Sequence, residues 1–169
     1  MEAAERSGRK WEIFTVAALL CAAAVFIGGF LFVRHVRDTA VRYTSDQITQ
    51  RIISELKYTD LVKVDDSQLS KHFDIPDGVV QGASYYTNKS SENAAELACF
   101  ILTDLSGYDP LKTAVTAHVS SKSAGFKSLN PTQYNALRNF VMIQKGRYVL
   151  FAVGSNTEAE EKIFNSMLE

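Results

Sequence analysis

The sequence predicts an α+β protein: an N-terminal transmembrane helix followed by a small domain with a four-stranded antiparallel sheet packed by helices on one face. Three observations predict it. An uncharged apolar run spans Ile13 to Val33. Two pairs of strand-like segments flank polar turns, "VVQGASYYTN" with "AELACFILTD" and "VMI" with "YVLFAV". Stretches with helical starts and apolar stripes alternate with those pairs.

The chain has 169 residues, 46% hydrophobic and 22% charged, which places it in the globular range and fits one domain plus an anchor. Its net charge is −1 and its charges are scattered, so no nucleic-acid partner is expected. Cys21 lies in the apolar run and Cys99 in a strand-like segment, which argues against a disulfide between them.

Residues 1–12 are read as a short cytoplasmic tail and 13–33 as a transmembrane helix, since roughly 20 apolar helical residues cross a bilayer core. Trp11 stands at one boundary, and Arg34, His35 and Arg37 at the other. A cleaved signal peptide fits less well because the run exceeds the usual core of about 7 to 15 residues. A lipoprotein signal fits less well again: Leu20 precedes Cys21, and apolar residues follow it. Basic residues balance across the run, so charge does not choose the orientation; the short tail favours an exported domain. Ala18 with Ala22, and Ala24 with Gly28, have the small-residue spacing that allows close helix approach, which is also common in lipid-facing helices.

Residues 34–57 are expected to continue as a helical stalk, with Val41, Ile48, Ile52 and Leu56 near one face. Thr44 and Ser45 interrupt a heptad, so packing on the domain competes with a coiled-coil homodimer. Residues 58–169 form the expected extracytoplasmic domain. "DDSQLSKHF" reads as a short capped helix burying Leu69 and Phe73. The first hairpin follows; its second strand is apolar on both faces, which predicts a central position. "YDPLKTAVTAHVSSKSAGF" reads as a helix with Asp109 as cap, Pro110 at its first position, and an inner stripe of Leu111, Ala114, Val115 and Val119. Asn130 and Pro131 open a shorter helix. The second hairpin pairs Val141–Ile143 with Tyr148–Val153 around Lys145 and Gly146. Ser155 or Asn156 caps a last helix with Glu158, Glu160 and Glu161 in its first turn.

From about Leu69 to Phe164 the order "LSKHFDIPDGVV", "AELACFIL" and "GFKSLNPTQYNALRNFVMIQKGRYVLFAVGSNTEAEEKIF" resembles an uncharacterised domain-of-unknown-function family common in Gram-positive Clostridia. Its members look like small extracytoplasmic proteins, lipoprotein-like or membrane-anchored. The resemblance implies an exported orientation and no reaction, and it supplies no site residues.

No catalytic, cofactor-binding or metal-binding residues are assigned, and no cofactor is expected. His35, His72 and His118 lack partners at metal-ligand spacing. His118 is read as a partly buried packing residue. The carboxylates Asp65, Asp66, Glu158, Glu160 and Glu161 are explained as caps and dipole partners. Glu96, at the mouth of an apolar strand, is the weak candidate for a further role; pairing with Lys145 or Arg147 is the competing expectation. Tyr85, Tyr86, Tyr108, Tyr134 and Tyr148 could line a glycan or peptide groove, although core packing explains them as well. "NKS" at Asn88 matches a glycosylation sequon and is read as a surface turn. The functional expectation is a single-pass, membrane-anchored, non-catalytic binding module, its partners the bilayer through 13–33 and a protein or cell-wall ligand. The alternatives are a structural subunit of an envelope assembly dimerising through anchor and stalk, and an envelope enzyme.

Overall fold

The computed structural model describes residues 20–30 and 41–169. The chain divides into two units, Met1–Asp38 and Thr39–Glu169. In the first, residues 20–30 are helical (α1) and carry no charged side chain. Among the described residues no helix is long and apolar enough to cross a membrane. The rest of the predicted span, 13–19 and 31–33, lies outside the described residues, as do the tail 1–12 and His35.

The second unit is a three-layered α+β domain. Its elements run α2 (Ser45–Leu56), β1 (Leu61–Lys63), α3 (Leu69–His72), β2 (Val80–Asn88), β3 (Glu96–Leu102), α4 (Tyr108–Phe126), α5 (Pro131–Arg138), β4 (Val141–Lys145), β5 (Tyr148–Val153) and α6 (Thr157–Met167). Short 3₁₀ turns at Asp66–Gln68 and Leu105–Gly107 lead into α3 and α4. The sheet has five strands in the order β1-β2-β3-β5-β4, every neighbouring pair antiparallel. The expected four strands are all present; β1, three residues long, is the addition.

Helices cover both faces of the sheet, not one. Every residue of β3 and β5 is buried, so neither strand offers a polar face to water and each side needs its own apolar cover. Ala98, Phe100, Leu102, Val149, Phe151 and Val153 pack with Phe73, Leu111, Val115 and Leu137 from α3 to α5. Leu97, Cys99, Ile101, Leu150 and Ala152 pack on the other side with Ile48 and Ile52 of α2 and Phe164 of α6.

Of the expected stalk over 34–57, residues 34–40 lie outside the described residues, and the described part forms α2 packed on the domain rather than a free stalk. Residues 41–44 are not helical. Thr44 starts the helix through a reciprocal capping box: its hydroxyl accepts from the Gln47 amide at 3.1 Å and its own amide donates to Gln47 Oε1 at 2.8 Å. Ile48 and Ile52 are fully buried. Polar links reinforce the docking, with Thr49 Oγ1 3.0 Å from Ser84 Oγ, and Asp46 accepting from Ser84 at 2.7 Å and from Lys63 of β1. Tyr148 fixes the approach to α2: its hydroxyl accepts from the amides of Arg42 and Tyr43 and donates to the Tyr43 carbonyl.

The remaining local rules hold with small shifts. Asn130 caps α5 and Pro131 occupies its first turn. Residues 108–126 are helical as expected, but Asp104 supplies a side-chain cap one 3₁₀ turn earlier, so Asp109 does not act as the cap. Lys145 pairs with Tyr148, which centres the second hairpin on Gly146 and Arg147; Gly146 takes φ +59° at the first central position.

Because α2 is a layer of the core, Ile52→Ala is expected to cost about 2–5 kcal/mol of unfolding free energy, measured by urea denaturation of the detergent-solubilised chain. A free stalk would lose almost nothing.

Candidate functional site

The site begins with strand alternation. Glu96 opens β3 on the face shared by Ala98 and Phe100, so its side chain turns toward α4. On α4, His118 and Lys122 stand one turn apart and reach the same point. Tyr85 of β2 approaches from the neighbouring strand. Glu96 is only 2% exposed and Tyr85 1%, so a carboxylate here needs a full set of partners.

It has them. Glu96 Oε1 accepts from the Tyr85 hydroxyl, from Lys122 Nζ at 2.7 Å and from His118 Nε2 at 3.1 Å, while Oε2 accepts from His118 Nε2 at 2.9 Å. His118 Nδ1 lies 2.9 Å from the carbonyl oxygen of His72 at the end of α3. A carbonyl can only accept, so Nδ1 carries a proton; facing an ionised carboxylate, Nε2 carries one too. The arrangement is therefore satisfied by an imidazolium and a carboxylate. The Phe73 ring packs 4.5 Å from the imidazole, centroid to centroid, and closes its inner side.

Burial pushes the Glu96 carboxyl up, but hydrogen bonds and positive charge from His118 and Lys122 outweigh it, and the group sits below the usual carboxylate range. Burial and the Glu96 charge push the Tyr85 hydroxyl upward. His72 is lowered by burial first and by the neighbouring His118 second. Its ring lies 6.1 Å from that of His118.

Above this network lies a cleft of about 580 Å³. Lys71, His72, Lys89, His118 and Lys122 line it, and Glu96, already matched by its own cations, is the one acid in the lining. Asparagine and serine side chains from the β2–β3 turn, with Ser121 of α4, complete a polar, basic wall. Both imidazole nitrogens of His118 are engaged, so the ring has no free nitrogen with which to activate a nucleophile. Among the described residues no group of three or more His, Cys, Asp or Glu could hold a metal ion.

The expected Glu96 pairing with Lys145 or Arg147 is overturned by register. Glu96 lies opposite Val153, at the far end of β5 from the hairpin turn; six strand residues separate the two ends by roughly 17 Å. Lys145 donates instead to the Asn165 carbonyl at 2.9 Å, and Arg147 to the Leu102 carbonyl and to Gln81. His118 packs as expected and also bonds to the Glu96 carboxylate. His72 and Lys122 join the site unforeseen; the available signal was the four-residue spacing of His118 and Lys122. Of the five tyrosines weighed for a groove, Tyr85 lines this cleft. Tyr86 and Tyr148 belong to the opposite core layer, and Tyr134 lies under the Arg138 guanidinium at 5.9 Å.

Glu96→Gln leaves His118 and Lys122 without their counter-charge, and about 3–5 kcal/mol of stability should be lost in denaturant titrations at neutral pH. The folded-state pKa of Glu96 is depressed, so its contribution is complete above the unfolded carboxyl value. It disappears as pH falls through the lower folded value. The acid limb of a stability profile should therefore flatten in the variant.

No curated protein and no solved structure matches the chain. The domain of unknown function DUF4358 matches residues 54–154. That stretch holds all five strands, α3 to α5 and the whole Glu96 network. Since the match covers more than half of the sequence, the chain belongs to the DUF4358 family of domains of unknown function.

Proposed function

We propose that this protein is a membrane-anchored, extracytoplasmic, non-catalytic binding module whose basic cleft takes a small anionic ligand bearing a carboxylate or phosphate. The observation that carries the reading is the cleft itself. Five basic side chains converge on one wall, and the one acid among them is buried and already neutralised. The floor is rigid, because Glu96 ties β2, β3 and α4 together and His118 ties them to α3. His118 and Lys122 are held in place by Glu96, and the exposed Lys71 and Lys89 add positive charge at the rim.

Anchoring is supported by the uncharged run Ile13–Val33 and by the exposed Val25, Phe26, Ile27 and Phe30 of α1. The export that the sequence resemblance implies supports the orientation. The enzyme alternative draws on the same cleft, since His118 and Glu96 lie beside convergent polar groups. It is the weaker reading because both groups already spend their hydrogen-bonding capacity on one another and on fixed neighbours.

Three measurements test this. The full-length chain should stay with membranes after an alkaline carbonate wash, and a cysteine introduced by Ser91→Cys should react with a membrane-impermeant maleimide in intact cells. Release into the supernatant, or labelling only after lysis, would remove the localisation. In detergent, inorganic phosphate and succinate should be titrated separately by calorimetry; the better binder separates the phosphate source from the carboxylate. Affinity should fall about tenfold between 50 and 500 mM salt, and again in the double variant Lys71→Gln, Lys89→Gln, whose exposed side chains leave the core intact. Salt-independent binding, or none by either anion, defeats the cleft assignment.

A further inference from the structure

A second, smaller cavity of about 260 Å³ lies at the end of the sheet where β3 begins and β5 stops. Tyr58 and Asp60 border it from the segment before β1, Thr132 and Gln133 from the start of α5, and Glu160 from α6. Leu61, Ala95, Ala136 and Val153 give it an apolar side. Its lining contains no lysine, arginine or histidine. In sign it is the opposite of the basic cleft.

Glu160 is the informative residue. The sequence places it in the first turn of α6, where an exposed carboxylate would serve the helix dipole, yet it is only 3% exposed. Its Oε1 accepts from the Tyr58 hydroxyl at 2.7 Å, and its Oε2 is buried with no hydrogen-bond partner. A buried carboxyl oxygen left unmatched is destabilising, and the residue that carries it lines a cavity. Burial raises the Glu160 carboxyl above the usual range, with Tyr58 opposing only in part.

We infer that this cavity is a binding site for a primary ammonium group on a short aliphatic stem, the ammonium donating to Glu160 Oε2 with Asp60 nearby and the stem lying along the apolar side. The volume is below the usual range of ligand pockets, about 300–1,000 Å³, which restricts the ligand to a few heavy atoms. An ammonium supplies both things the site lacks, a donor for the orphan oxygen and a positive charge for two carboxylates. It also competes with a proton, because binding favours the ionised form of Glu160. The titratable groups bordering the cavity are Tyr58, Asp60, Glu96 and Glu160. The carboxylate of Glu96 is committed to Tyr85, His118 and Lys122.

The full-length chain in detergent would be titrated with n-butylammonium and, separately, with alaninamide, which distinguish a free amine from a peptide-like amino terminus. Binding of either is expected, tightening as pH rises through the acid range and releasing protons, seen as a calorimetric heat that depends on buffer ionisation enthalpy. Glu160→Gln keeps a partner for Tyr58, should fold at least as stably at neutral pH, and should weaken binding at least tenfold while abolishing the proton release. The Lys71→Gln, Lys89→Gln variant should bind the amine unchanged, so this site stands or falls independently of the basic cleft. Failure of both probes to bind at millimolar concentration would overturn the inference. So would equal binding by Glu160→Gln, or pH-independent binding to the unsubstituted chain.

Discussion

Glu96–Leu102 is a strand with no side to show water, and most of the domain follows from that constraint. Each face has to be covered, so α3 to α5 take one and α2 with α6 take the other. β5 repeats the condition beside it, and the two form the middle of the sheet. The flanking strands are less buried: β2 is only partly closed, β4 is mostly half-buried, and β1 is short. Short or polar edges are how sheets limit unwanted pairing.

A charged residue at the start of such a strand is the costliest choice in the core. Transfer of a carboxylate from water is repaid only by close partners of opposite charge and a complete set of hydrogen bonds. Glu96 meets that condition with a tyrosine, an imidazolium and an ammonium drawn from two elements. Glu160 shows the other outcome. It is buried almost as deeply, has one tyrosine partner, and its carboxyl moves upward instead of downward. Two acids of similar burial thus respond in opposite directions because one has cations within reach and the other has none.

What the sequence disclosed and what it concealed divide along physical lines. Both hairpins, α4 and α5 could be read because their signals are local: alternation, turn glycine, asparagine caps and a proline in a first turn. The covering of both faces was available in the same strings, since β3 and β5 have apolar residues at odd and even positions alike. β1 was hidden by its length, three residues being too few for a period. The stalk expectation extended one apolar stripe through Thr44, although Thr44 with Gln47 is a capping box that starts a new helix. Glu96 drew attention as an acid beside an apolar strand. Its partners stayed concealed because they depend on register and on how α4 crosses the sheet, which no local pattern encodes.

Charge illustrates the same division. A net charge of −1 spread along the chain suggests no binding surface at all. Folding sorts those charges: Lys71, His72, Lys89, His118 and Lys122 line one cleft from three parts of the chain, while Asp60 and Glu160 line another from two others. Asn93 and Glu96 border both cavities, so the end of the β2–β3 turn is the partition between a basic and an acidic region. Ala94, in the same turn, is fully buried. Opposite charges on the two sides attract one another more strongly through low-dielectric material than through water, which couples the two regions electrostatically. The separation of basic from acidic side chains in this domain is therefore set by the register of β3 as much as by the side chains themselves.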